Sequence, residues 1–118
     1  MENVIFRLNI KLDRALSLNS IYANCHWSKR KKDADNMHSL VRYSILEQIK
    51  NPKIFTSPVE IYFYFNTRLD ISNTAYAAKL IEDALKGLLI VDDSKKYVKA
   101  IHLNFWREEG ILVKIKEC

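Results

Sequence analysis

Between residues 3 and 12, NVIFRLNIKL, apolar and polar side chains alternate, with Val4, Phe6, Leu8, Ile10 and Leu12 on one face. A period of two predicts a half-buried strand. The pattern breaks over DRALSLNSIYANCHW, which shows no sustained period and reads as a long loop. Loops of that length inside compact domains are usually functional. From Ser28 to Lys50 the spacing changes to three and four. Ala34, Met37, Val41, Ile45 and Ile49 then form one stripe of a helix, with Ser28 as its N-cap. Asn51-Pro52 stops that helix, and Pro58 precedes the next element.

VEIYFYFNTR returns to a period of two, with Val59, Ile61, Phe63 and Phe65 on one face and Tyr62 and Tyr64 on the other. A second helix is predicted over Ser72–Lys86, its stripe formed by Ala77, Leu80, Ile81, Ala84 and Leu88, with Gly87 as C-cap. YVKAIHLNFW and GILVKIKE read as an antiparallel hairpin across REEG. The order is β-α-β-α-β-β, without internal repeat. It predicts one α+β domain over residues 1–118, in which two helices cover a small mixed sheet.

Composition narrows the setting. A chain of 118 residues holds one core, and 48% hydrophobic with 28% charged residues suits a globular domain. No apolar run approaches the ~20 residues of a bilayer span. ENVIFRLNIK lacks the pattern of a signal peptide, so a cytoplasmic protein without membrane partners is expected. Cys25 and Cys118 are two cysteines far apart in the chain, which fits a reducing compartment. Cys25, His26, His38 and His102 reproduce no zinc-ligand spacing.

Charge adds a candidate surface. The net charge is +5, and Lys29, Arg30, Lys31 and Lys32 are consecutive. Such a run is either a solvated helix start or a phosphate-contacting patch. Tyr22, His26 and Trp27 immediately upstream favour the second, because aromatic and basic groups together serve bases and phosphates.

GLLIVDDSKKY, residues 87–97, runs an apolar stretch into Asp92 and Asp93. Two carboxylates ~5 Å apart at an effective dielectric near 20 repel by roughly 3 kcal/mol. Water, a lysine or a divalent cation can relieve that. On a helical projection Tyr76, Lys79 and Asp83 share one flank of the second helix, whereas Glu82 and Lys86 point elsewhere. Asp70 precedes that helix. Several carboxylates near a lysine suit metal-assisted phosphodiester hydrolysis, since magnesium needs few protein oxygens and keeps its waters. The plainer reading is an i,i+4 surface pair between Lys79 and Asp83, worth a few tenths of a kcal/mol.

From Leu69 onward, LDISNTAYAAKLIEDALKGLLIVDDSKKYV resembles the core of the RusA family of Holliday-junction resolvases, common in bacteriophages and prophages. The resemblance rests on an aspartate and asparagine before the helix, on Lys79-x-x-x-Asp83-Ala84-Leu85, and on Asp92-Asp93. SLNSIYANCHWSKRKKDADNMHSLV is similar to that family's Asn-aromatic loop and basic helix start. With the strand order, the likeness covers nearly the whole chain.

The resemblance implies a homodimeric endonuclease that uses magnesium, or manganese, to nick opposing strands of a four-way DNA junction during recombination and repair. By it, Asp70, Lys79, Asp83 and Asp93 are catalytic. Asp70, Asn73, Asp92 and Asp93 surround the metal. Asn19, Tyr22, His26, Trp27, Lys29, Arg30, Lys31 and Lys32 contact DNA. One departure stands out. The family's entrance is Asp-x-Asp-Asn with the lysine three residues after the asparagine, whereas here Asp70-Ile71-Ser72-Asn73 leaves Lys79 six residues after it. One carboxylate is missing. The rival expectation is therefore a protein on the same scaffold that binds branched DNA or another partner without efficient cleavage. A basic ribosome- or RNA-associated domain would explain the charge but not Asp92-Asp93.

Overall fold

The computed structural model describes residues 3–12, 16 and 27–118, with Trp27 described by its backbone. Asn19, Tyr22, Cys25 and His26 lie outside the described residues, as does the Trp27 side chain. The elements are β1 (Asn3–Leu8), α1 (Trp27–Gln48), β2 (Val59–Phe65), a 3-10 turn (Ile71–Thr74), α2 (Ala75–Leu85), β3 (Val98–Phe105) and β4 (Ile111–Glu117). This is the α+β domain of mixed sheet and two helices that the periodicities predict. Ser28 does not cap α1, because the helix already includes Trp27. Past its end, Asn51 takes φ +56°, a left-handed conformation asparagine tolerates, and Pro52 prevents continuation.

Chain order misleads about the last two strands. The sheet runs β1-β4-β2-β3, so β3 and β4 form no hairpin. β4 lies between β1 and β2, antiparallel to both, and β3 pairs parallel to β2 on its other side. The physical reason is burial. Ile111, Val113 and Ile115 of β4 are all fully covered, as a central strand requires, whereas Ile101 and Phe105 of β3 are 44% and 54% exposed, as an edge allows. Helix α2 supplies the crossover that parallel neighbours need. The link from β3 to β4 must pass the end of β2, two strand spacings or about 10 Å, which five residues can span. Trp106 N–H bonds the Phe65 carbonyl at 3.1 Å on the way.

The face of β2 bearing Val59, Ile61, Phe63 and Phe65 packs with Met37, Val41 and Ile45 of α1 and Ala77, Ile81, Ala84 and Leu85 of α2. The entrance to α2 is a 3-10 turn where Thr74 Oγ1 donates to the Ile71 carbonyl at 2.6 Å, a local bond that competes with regular helix. At the other end, Gly87 takes φ +79° and Arg42 Nη2 donates to the Lys86 carbonyl at 2.7 Å. Among the described residues, no helix is long and apolar enough to cross a membrane.

Candidate functional site

Leu89 and Ile90 explain where the paired aspartates go. Both are buried, while Leu88 is half-buried and Val91 is exposed. The Gly87 amide donates to the Ile90 carbonyl at 2.7 Å, and the Phe55 amide to Leu89 at 2.8 Å. Anchored in this way, the chain doubles back at the end of α2 and delivers Asp92 and Asp93 beside the helix they follow.

Two ammonium groups meet them. Lys79 hydrogen-bonds Asp93, and its Nζ lies 3.0 Å from Asp83 and 3.6 Å from Glu82. Lys86 Nζ lies 3.3 Å from Asp93, 3.4 Å from Asp83 and 4.0 Å from Asp92. The like charges of Asp92 and Asp93 are therefore relieved, within the chain itself, by lysines. Glu82 and Lys86, which the helical projection turned away, belong to the cluster. Their spacings of three from Lys79 and from Asp83 are the signal that would have found them.

The electrostatics follow from these contacts. Lys79's hydrogen bond, opposed by partial burial and seconded by Lys86, holds the Asp93 carboxyl well below the usual carboxylate range. Burial pulls Lys79 downward, but hydrogen bonds to Asp93 and Asp83 outweigh it and raise its pKa above the ordinary lysine value. Lys86 is raised by the same aspartates, against its own desolvation. Glu82 is different: burial pushes its carboxyl up, and the pull of Lys79 does not restore it.

Asp70 and Asn73 lie elsewhere. A 4-residue 3-10 turn and most of the 11-residue α2 separate Asp70 from Asp83. At ~2.0 and ~1.5 Å per residue that is on the order of 20 Å, whereas two ligands of one magnesium each sit ~2.1 Å from the ion. The structure thus brings Asp93, Asp83 and Lys79 together, with Asp92 at their edge, and neither Asp70 nor Asn73 makes a hydrogen bond or ion pair with them. Those two line a hollow of about 1130 Å³ at the other end of α2, together with Asn9, Lys11, Arg68 and Glu109.

Does the cluster suit a metal? Among the described residues no group of three or more His, Cys, Asp or Glu side chains is placed to hold one. Magnesium, however, is commonly held by one or two carboxylates with water and substrate phosphate. Asp83 and Asp93, sharing the Lys79 ammonium, are a pair of that kind, and four carboxylates here face only two lysines. The donor set fits a sparsely liganded divalent ion and not a closed cage.

The basic run begins α1 as expected, but half of it is neutralised. Lys29 pairs with Asp33 at 2.7 Å and Lys31 with Asp35 at 3.2 Å. Arg30 and Lys32 have no carboxylate partner among the described residues. Asp33 also accepts from the Tyr76 hydroxyl at 2.9 Å, so Tyr76, buried, ties the start of α1 to α2 and does not join the lysine cluster. Compared with known proteins, the chain matches no family model and no curated protein.

Proposed function

We propose that the chain is a magnesium-dependent, structure-selective endodeoxyribonuclease that resolves four-way DNA junctions as a homodimer in the cytoplasm, the activity its resemblance to RusA resolvases implies. The observation that carries this reading is the meeting of Lys79 with Asp83 and Asp93. These are the lysine and two of the acids of the resembling motif, and Asp93 comes from beyond the helix to meet the Lys79–Asp83 pair on it.

In this reading Asp93 and Asp83 hold the ion and Asp92 lies beside them. When bound, the ion supplies a water activated at neutral pH and neutralises charge on the phosphoryl oxygens. Lys79, kept protonated by its acids, acts as a fixed positive charge toward the developing oxyanion and not as a base. Asp93 stays ionised far into acid, so its carboxylate is available as a ligand wherever the protein is folded. Arg30 and Lys32, at the start of α1, are the cations left for phosphate contacts. Cleavage of a synthetic four-way junction, with magnesium and in EDTA, tests the proposal. Nicking that needs magnesium and vanishes in Asp93→Asn supports it, and junction binding without any nicking refutes it.

The second reading, a branched-DNA-binding protein without efficient cleavage, is favoured by one observation: lysines already satisfy Asp93 and Asp83, the acids that would hold the ion. The same assay separates the two, because binding persists in both and nicking occurs in one.

A further inference from the structure

Both described helices pack on one face of the sheet, yet the other face is not built as an ordinary solvated surface. There β2 presents Glu60, Tyr62 and Tyr64. The register sets Tyr62 between Lys114 of β4 and His102 of β3, and Tyr64 between Leu112 and Asn104. Tyr62 and His102 stack with ring centroids 4.2 Å apart and planes within 8°. Lys114 Nζ lies 5.8 Å from the Tyr62 ring. One row along, Trp106 meets Tyr64 at 6.5 Å, and the Arg7 guanidinium of β1 lies 4.9 Å from the Trp106 ring. All four aromatic groups are half-buried by one another and remain accessible from outside.

We propose that this open sheet face is a second nucleic-acid site, a stacking platform for a single-stranded polynucleotide. Three features select that ligand. Flat aromatic faces flanked by cations accept bases of any sequence, each stack backed by a phosphate contact. Charge is favourable: Lys114 and Lys116 form no salt bridge among the described residues, Arg7 pairs with Glu108, and Glu60, which hydrogen-bonds His102, lies opposite Lys116 in the sheet. Spacing excludes duplex. Tyr62 and Tyr64 are two residues apart on one strand, ~7 Å, about twice the ~3.4 Å axial rise between successive nucleotides of a B-DNA strand. Bases reaching both platforms must be unstacked, which a paired duplex forbids.

The site is independent of the lysine–aspartate cluster, which α2 and the turn after it carry on the helical side of the sheet. Equilibrium binding in EDTA reads it without reference to cleavage. Labelled oligo(dT) and oligo(rU), followed by fluorescence anisotropy, are the two probes; whichever binds more tightly identifies the sugar the site prefers. Tyr62→Ala/Tyr64→Ala is expected to weaken binding about tenfold or more, and Tyr62→Phe/Tyr64→Phe to retain it, because stacking needs the ring and not the hydroxyl. Lys114→Ala/Lys116→Ala, at solvent-facing positions that do not endanger folding, is expected to flatten the dependence of log affinity on log salt by ~0.7 for each lost phosphate contact. Single-strand affinity unchanged in the lysine pair and in a folded alanine pair overturns the proposal. So does an unlabelled duplex that competes as well as the single strand, since binding then resides in the basic start of α1.

Discussion

Lys79 on α2 and Asp93, 14 residues further along the chain, are hydrogen-bonded to each other, and Asp83 shares the same ammonium. The pair joins the middle of a helix to the turn that leads into β3. It also places the lysine and a carboxyl held well below the usual range in one spot.

Removing the acid while keeping its shape separates its roles. Asp93→Asn should reduce junction nicking by roughly 10²-fold or more, given that a Lewis-acid ion supplies several kcal/mol and each ~1.4 kcal/mol is tenfold. Junction affinity in EDTA should change little. Wild-type nicking rates in this variant would remove Asp93 from the site.

Position along α2 makes a contrasting case of Asp70. If the ion sits at the Lys79 end, Asp70→Asn should leave the magnesium-dependent shift in thermal melting unchanged, because ligand stabilisation requires contact with the ion. Loss of that shift would move the metal to the hollow that Asp70 and Asn73 line.

Acid should weaken the molecule through Asp93. Its folded pKa is depressed, so the stability it contributes is present above its unfolded value, ~3.9, and is lost as pH falls toward the folded one. Glu82 works in the opposite sense: its folded pKa is raised, so its contribution declines as pH climbs above its unfolded value, ~4.3. Denaturant melts from acid to neutral pH should show a shallower acid limb for Asp93→Asn, and a gain near neutral pH for Glu82→Gln. A Glu82→Gln variant less stable than wild type at neutral pH would mean that its contact with Lys79 outweighs its burial.

Phosphate contacts at the start of α1 should divide by charge partner. Arg30→Ala/Lys32→Ala should lower the salt slope of duplex binding by ~0.9 per lost contact. Lys29→Ala/Lys31→Ala should lower it less, because Asp33 and Asp35 already pair with those lysines. Slopes unchanged from wild type in both pairs would assign the whole run to solvent.

The two glycines offer a calibrated comparison of stability. Gly87→Ala imposes the left-handed conformation on a side chain that meets only Arg42 Nη2, at 3.7 Å, so a loss of ~1–2 kcal/mol is expected. At Gly110 a Cβ would lie 2.5 Å from the Leu8 carbonyl oxygen, with φ +82°, and the loss should exceed that range. Thermal melting of the two variants should rank them in that order.

The strands and helices were legible because their periods differ: Val59, Ile61, Phe63 and Phe65 alternate into the core, and Met37, Val41 and Ile45 follow a helical stripe. Pairing was not, since adjacency in the chain suggested a hairpin for β3 and β4, and only relative burial places β4 inside. The cluster was half legible. Lys79 and Asp83 share a helix flank that sequence shows directly. Glu82 and Lys86 were lost to an ideal projection, because long side chains reach around a helix further than their Cα direction implies. Asp70 was grouped with the other acids by motif order, and the 3-10 turn and helix between them put it on the order of 20 Å from Asp83.

Placing β4 between β1 and β2 also sets an order of events during folding. β1, α1 and β2 can all leave the ribosome with their apolar faces made, yet β1 has no sheet partner until residues 111–117 arrive. The first described strand pairs with the last, across more than 100 residues by register Asn3↔Lys116. Contacts of such long sequence separation carry a large loop-closure cost and slow folding. Until then the β2-α2-β3 unit stands with one edge of β2 bare, an unpaired row of amides and carbonyls open to a wrong strand. Arrival of β4 closes that edge and recruits β1 in the same step, so the sheet is completed from its β3 edge toward β1.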